Sequence, residues 1–304
     1  MTTPLGLVLK AVSASDVTTI AAAAEDAGIT HLYLPETGLL SASNVTGRDP
    51  FITSAAALRA TTRMHVGPGI AASTVRPSRI ASLLAATINE ESDGRFIMGV
   101  GVSHRPTIEA LGLPYPASPL GQLTTYVREV KAASAGDIGF GGGFPVVVGA
   151  LGPKMIDLAA SESDGVILNW LTPQTAGTTA AQIAAAATAA GKSGVMSALF
   201  IRVGSPESVR ADAASYNDNL PNYRKHFASQ GLADVEAVVA GTCMRYDAAA
   251  VVDTLSSYYE QGVTVPCVYP TGMTTEQIIE LLGQVAKRRD AGSSTTTTTD
   301  GVNA

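Results

Sequence analysis

Short apolar runs alternate with alanine-rich or amphipathic stretches along almost the whole chain. Runs at 5–10, 31–35, 64–68, 96–101, 145–149, 165–168, 195–203 and 265–269 are nearly continuous in apolar residues. That is the pattern of strands buried on both faces of a parallel sheet. The segments between them carry helix punctuation. Asp16 stands where an N-cap would open an alanine-rich helix to Asp26, and Gly28 would stop it. Asp49-Pro50 opens the next, with proline at its first helical position. Further helices are expected at 77–91, 122–132, 153–160, about 178–190, from Pro206 onward, 247–261 and 276–288. The alternation amounts to about eight βα units, which favours a closed α/β (β/α)8 TIM barrel over an open doubly wound sheet. A Rossmann sheet would need G-x-G-x-x-G after its first strand, and Lys10-Ala11-Val12-Ser13 does not supply it. Residues 1–290 therefore read as one barrel domain. Residues 291–304, rich in threonine and poor in hydrophobes, read as a disordered tail.

Composition narrows the class without changing it. The 304 residues are 46% hydrophobic and 15% charged, as expected of a globular chain with an ample core. A net charge of −6 argues against nucleic acid or anionic membrane surfaces as partners. No apolar run approaches the ~18 residues that span a bilayer. Met1-Thr2-Thr3-Pro4 lacks signal-peptide features, so a cytoplasmic location is expected. Cys243 and Cys267 have neither a disulfide framework's numbers nor metal-ligand spacing, and no metal is expected. The partner expected is a small-molecule substrate, with a homodimer allowed.

A barrel draws its chemistry from the C-terminal ends of its strands. Those ends are Lys10, Glu36, Gly69-Ile70, Gly101 with Ser103-His104-Arg105, Gly149-Ala150-Leu151-Gly152, Asn169-Trp170, Arg202 and Tyr269. They contain no nucleophile spaced to a base, no H-E-x-x-H and no Cys/His cluster. They are instead rich in glycine, and Gly67-Pro68-Gly69 ends its strand almost without side chains. Such a mouth suits a flat ring lying on the main chain, with phosphates at helix N-termini. The reaction would then belong to a cofactor. His104 could pass a proton or hydrogen-bond a substrate oxygen. Trp170 could wall the pocket, stack on a ring, or simply pack at the rim. Arg76, Arg79 and Arg105 stand near strand ends, where an anionic coenzyme would want cations.

Several stretches carry a family likeness in order and spacing. They are Asp49-Pro50-Phe51, Gly67-Pro68-Gly69-Ile70, Gly94 to Gly101, Ala150-Leu151-Gly152-Pro153-Lys154-Met155 and Asp164-Gly165-Val166-Ile167-Leu168. Over about residues 5–288 the chain resembles the bacterial-luciferase-like superfamily, and within it the branch that uses the deazaflavin coenzyme F-420. The resemblance implies a barrel binding a deazaflavin or flavin at its C-terminal mouth. It further implies a non-prolyl cis peptide at Gly69-Ile70 backing the ring, Glu36 at the ring edge, a phosphate-side contact at Leu151-Gly152, and a polar Asn169. Thr37 stands where sugar-phosphate dehydrogenases of this family have histidine, which argues against that substrate class. The long insertion and arginine-containing phosphate loop of flavin-using alkane and sulfonate monooxygenases are not found.

The candidate catalytic residues are His104, Glu36 and Trp170. The candidate cofactor contacts are Gly69, Ile70, Glu36, Gly101, Leu151, Gly152 and Asn169. A valine at Gly69 is expected to press on the ring face. The function expected is hydride transfer between coenzyme F-420 and a small organic substrate. An FMN-dependent luciferase-like monooxygenase, or a cofactor-free barrel acting as a subunit or binding protein, are the alternatives.

Overall fold

Every strand pairs in parallel with its neighbours, and a helix follows almost every strand. The computed structural model describes residues 3–37 and 47–296. Its strands are β1 (Gly6–Val8), β2 (His31–Leu34), β3 (His65–Pro68), β4 (Ala71–Ala72), β5 (Met98–Gly101), β6 (Val146–Gly149), β7 (Gly165–Asn169), β8 (Met196–Gly204) and β9 (Val265–Thr271). The helices are α1 (Ala14–Asp26), α2 (Pro50–Arg59), α3 (Ser78–Glu91), α4 (Arg105–Ala110), α5 (Pro119–Ala132), α6 (Pro153–Glu162), α7 (Pro173–Ala189), α8 (Pro206–Asn219), α9 (Pro221–Ser229), α10 (Val235–Thr242), α11 (Ala248–Glu260) and α12 (Thr275–Thr296). The sheet order is β3-β2-β1-β9-β8-β7-β6-β5-β4. Segment 65–72 closes it: β3 pairs with β2 through Leu32↔Val66, and β4 with β5 through Ala71↔Val100. A further bridge, Val66↔Phe96, seals the seam. Nine strands thus fill eight positions of a (β/α)8 barrel, because β3 and β4 are two pieces of one.

The apolar runs resolve into two faces. Val8, Tyr33, Val147, Ile167, Phe200, Cys267 and Tyr269 fill the barrel. Their strand neighbours Leu7, Leu32, Val146, Val148, Leu168 and Val268 pack outward under the helices. β3 and β5 come so close that a Cβ on Gly67 would lie 1.7 Å from the Ile97 carbonyl oxygen. Glycine is required there by backbone contact.

The termini of several elements differ from expectation. α1 is capped by Ser13, whose Oγ accepts from the Asp16 amide at 3.1 Å and donates to the Asp16 carboxylate. Asp16 is therefore the first-turn partner in a reciprocal cap rather than the cap itself. Asp49 does cap α2, accepting from Phe51 and Ile52. α5 and α7 begin earlier than expected, each with proline in its first turn behind a Ser or Thr cap. The polar stretch around His226 reads as helical and forms α9, whereas the short helices α4 and α10 have no counterpart in the sequence reading. α12 runs on to Thr296, through part of the stretch expected to be disordered, and the rest of that tail (297–304) lies outside the described residues. No helix among the described residues is long and apolar enough to cross a membrane.

Two buried acid–base features tie the N-terminal end together. The Glu25 carboxylate, at the end of α1, accepts from the amides of Thr62, Arg63 and Met64 just before β3. Burial would raise its pKa, but these donors, Arg63 foremost, hold it at about 2. His31 stacks on His65 with ring centroids 5.5 Å apart. Burial, reinforced by the neighbouring His65, lowers its pKa from 6.5 to about 4. Both folded-state values lie below the unfolded ones, so both contributions are present at neutral pH and fade on acidification. Urea midpoints should fall in two stages, from pH 6.5 to 4 and from 4.5 to 2. His31→Phe should shrink the first stage, to which His65, His104 and His226, also lowered by burial, contribute the rest. Glu25→Gln should flatten the second and cost about 1–3 kcal/mol at pH 7.

Candidate active site

The step between β3 and β4 shapes the mouth. The Gly69-Ile70 peptide is cis, as the resemblance implies. Gly69 N–H donates to the Leu34 carbonyl at 3.0 Å, and Glu36 N–H to the Ile70 carbonyl at 3.2 Å. Ile70 lies across two glycines: a Cβ on Gly101 would meet its Cδ1 at 3.0 Å, and one on Gly149 its Cγ2 at 3.1 Å. The strand ends β5 and β6 therefore leave a shallow apolar ledge bearing Ile70. Gly69 faces the other way. A Cβ there would sit 2.7 Å from Tyr33 Cβ and 2.9 Å from Phe200 Cζ, inside the barrel. This corrects the expectation for valine at 69: its methyls would enter the packed interior rather than press on a ring.

Glu36 is committed to the protein's own donors. Its side chain is 3% exposed; Oε2 accepts from the Ala72 amide at 2.7 Å and Oε1 pairs with Arg76. Arg76 also reaches Asp49 at 2.6 Å. Burial would lower the Arg76 pKa, but Glu36 and Asp49 outweigh it and raise it. The ring-edge role of Glu36 thus competes with a structural one, the joining of β2 to β4. Arg105 is likewise paired, with Glu109 at 3.1 Å.

Across the mouth lies a second charged group, assembled by β1, β7, β8 and the helices after β8. Arg202 is 0% exposed, with its guanidinium 3.9 Å from the Trp170 ring and 4.3 Å from that of Tyr269. Its Nε donates to Asp212 at 3.1 Å and its Nη1 to Asn169 Oδ1. Asp212 also accepts from Lys10 at 3.1 Å. Asn169 passes the chain on, donating to Tyr223 Oη at 2.9 Å, and the Tyr223 ring meets His104 edge-on. Burial would lower the Arg202 pKa, yet Tyr216, Asp212 and Tyr269 hold it above the ordinary value. Sequence reasoning placed Arg202 at a strand end without a role. The available signal was a charge inside the apolar run 195–203.

The remaining candidates fall at the same end. Trp170 is 1% exposed and packs edge-on against Tyr216 and Phe227 at the rim of the mouth. The helices α8–α10 supply that packing, with a small core of their own. His104 precedes α4 without capping it, and burial lowers its pKa below 6.5. Gly152 is the N-cap residue of α6, with no side chain capping the turn, and Gly152, Pro153 and Lys154 are exposed. Leu151 packs instead with Trp170. Of the four non-glycine residues with positive φ among the described residues, three, namely Ala11, Ser103 and Trp170, lie just past strand ends here. A cleft of about 290 Å³ at the opposite end of the barrel is lined by Ala187, Lys192 and Gly262 among others. The Lys192 ammonium there already donates to the Ser163 carbonyl.

A family model described as luciferase-like monooxygenase matches residues 2–288. The chain is 30% identical over 161 residues to 5,10-methylenetetrahydromethanopterin reductase of Methanolobus tindarius, an alignment covering 48% of this chain and 49% of that protein. The chain thus spans about half the length of this curated relative, and 39% of a second reductase of the same name from Archaeoglobus fulgidus. Among solved structures, an F420-dependent secondary alcohol dehydrogenase in complex with an F420-acetone adduct matches with TM-score 0.77 at 17% identity, covering 94% of this chain and 98% of that one. The FMN-bound oxygenating constituent of 3,6-diketocamphane monooxygenase from Pseudomonas putida matches with TM-score 0.69 at 13% identity, over 94% and 98%. At these identities the structural likeness is one of fold.

Two substitutions test the geometry of the mouth. Glu36→Gln keeps an acceptor for Ala72 but removes the charge facing Arg76, and should lower stability by about 1–3 kcal/mol in urea unfolding. Gly69→Ala should cost about 1–3 kcal/mol through overpacking against Tyr33 and Phe200. An unchanged unfolding midpoint in either variant would contradict these contacts.

Proposed function

This chain belongs to the luciferase-like monooxygenase family, and we propose that it is an oxidoreductase moving a hydride between the deazaflavin coenzyme F-420 and a small organic substrate. One observation carries the proposal. Among the described residues, the buried side-chain atoms without a hydrogen-bond partner are Thr37 Oγ1, Thr74 Oγ1, His104 Nδ1, Trp170 Nε1 and Arg202 Nη2. Every one belongs to the C-terminal mouth, at or just after the end of β2, β4, β5, β7 or β8. A buried unpaired polar group costs about 1–3 kcal/mol, and such groups are few in folded proteins. Their gathering at one end supports a polar ligand bound there.

The residues present suit the coenzyme. The Ile70 ledge over Gly101 and Gly149 offers an apolar support for a flat ring. The uncapped first turn of α6, with exposed Gly152 and Lys154, offers amides and a cation to a phosphate. The name of one relative, a putative coenzyme F420-dependent oxidoreductase of Mycobacterium tuberculosis that is 28% identical over 189 residues, favours the deazaflavin over FMN. When bound, the deazaflavin supplies two-electron hydride chemistry. Ile70 would back the ring, Gly152 and Lys154 would hold the phosphate end, and Asn169 would orient polar groups between Arg202 and Tyr223. His104, kept neutral by burial, would hydrogen-bond the substrate or take up its proton. The aromatic packing of α8 and α9 around Trp170 would keep water out.

Titration with oxidised and reduced F-420 and FMN, followed by absorbance, tests the reading. The deazaflavin should bind at least about tenfold more tightly, a difference of ~1.4 kcal/mol. Tighter FMN binding would move the chain to the monooxygenase alternative, and binding of neither would leave the cofactor-free one. His104→Ala should lower turnover by about tenfold or more and leave coenzyme affinity unchanged. Because burial holds the His104 pKa below 6.5, its protonation should cut kcat/KM only on the acid side of that value.

A further inference from the structure

The Arg202 cluster holds more positive charge than its partners neutralise. Arg202 and Lys10 share one carboxylate, that of Asp212. Asn169, the Phe200 carbonyl and the ring faces of Trp170, Tyr216 and Tyr269 also border the guanidinium, and all are neutral. Arg202 Nη2 is enclosed without an acceptor, although the residue is 0% exposed. The Trp170 Nε1–H, in the ring stacked on that guanidinium, is also unpartnered. Buried charges are weakly screened, so an unmatched cation there strongly favours an anion. The cluster reaches solvent at Lys10, whose side chain is 26% exposed beside an Asp212 at 10%.

We propose that this cluster is an oxyanion subsite, in which Arg202, supported by Lys10, receives a carboxylate or phosphate oxygen of the substrate. A guanidinium held between aromatic faces and fixed at Nε and Nη1 presents its remaining N–H groups in a set direction, which is the geometry that carboxylates and phosphates accept. The inference rests on the mouth being the binding site. It adds a substrate class, namely small molecules carrying an anionic oxygen. The phosphate end of the coenzyme is assigned to the α6 turn, on β6 rather than β8.

Trp170 is the single tryptophan of the chain, so its fluorescence reports on the guanidinium stacked against it. Coenzyme-free protein is titrated at constant ionic strength with acetate, inorganic phosphate and neutral acetamide. A saturable change with acetate or phosphate, and none with acetamide, is expected. Arg202→Lys keeps the charge but loses the fork, and should weaken anion binding by about tenfold. Lys10→Met, at the exposed edge, should weaken it about threefold and serves if the buried variant does not fold. The absence of a saturable response to either anion in the wild type overturns the proposal. So does an anion that competes with F-420, since the subsite would then belong to the coenzyme's phosphate. Coenzyme binding is read separately by its own absorbance. Anion binding without coenzyme binding would refute the proposed function alone, and coenzyme binding without anion binding would refute the subsite alone.

Discussion

Closure of the barrel rests on segment 65–72, which has to pair with β2 on one side and β5 on the other. The β3 and β5 backbones meet so closely that Gly67 and Gly99 have no room for a side chain against Ile97 and Pro68. The chain then steps at Gly69-Ile70 before β4 resumes pairing. That step sets Gly69 against the interior rings of Tyr33 and Phe200 and lifts Ile70 over Gly101 and Gly149. The ledge at the mouth follows from how the barrel closes. Glu36 holds the step from outside, bonded at once to Ala72 and Arg76.

Around this frame the mouth carries two charged groups of opposite excess. Glu36 and Asp49 surround Arg76, two acids to one base. Lys10 and Arg202 surround Asp212, two bases to one acid. Removing charges from water is costly, and the cost is recovered only where geometry and further hydrogen bonds are good. Both groups are accordingly tied to backbone or neutral side chains, Ala72 in the first and Asn169 in the second. Their side chains are thereby held in place before any ligand arrives. The pattern is one of preorganisation, in which the strand ends of one barrel mouth hold charged groups in fixed positions.

Much of the fold could be read from residue order. Eight apolar runs match the eight barrel positions, and Asp49-Pro50 caps α2 as its residue types dictate. The family likeness placed the cis peptide at Gly69-Ile70. The candidate site was legible as a set of strand ends, since chain direction alone fixes which end of a parallel barrel each residue occupies. The finer roles were not. Glu36 could be placed at the mouth, but not its engagement by Arg76, forty residues later in the chain. Trp170 could be placed past β7, but not its burial beneath α8 and α9, whose polar composition gave little sign that they would pack there.

Local patterning determined the alternation of strands and helices, the parallel sheet and the glycine-rich mouth, because each depends on residues close in sequence. Which apolar residue points inward was undecided in the runs themselves: Val146 and Val148 face helices and Val147 faces the barrel, with nothing in their side chains to tell them apart. Strand geometry supplies the period of two, and closure decided which of the two alternating sets turns inward. The partners of the buried charges were decided in the same way. Arg202 is visible in the sequence as a charge in an apolar run, yet Lys10, Asp212 and Asn169 meet it only because β1, β7, β8 and α8 converge at one end of the barrel.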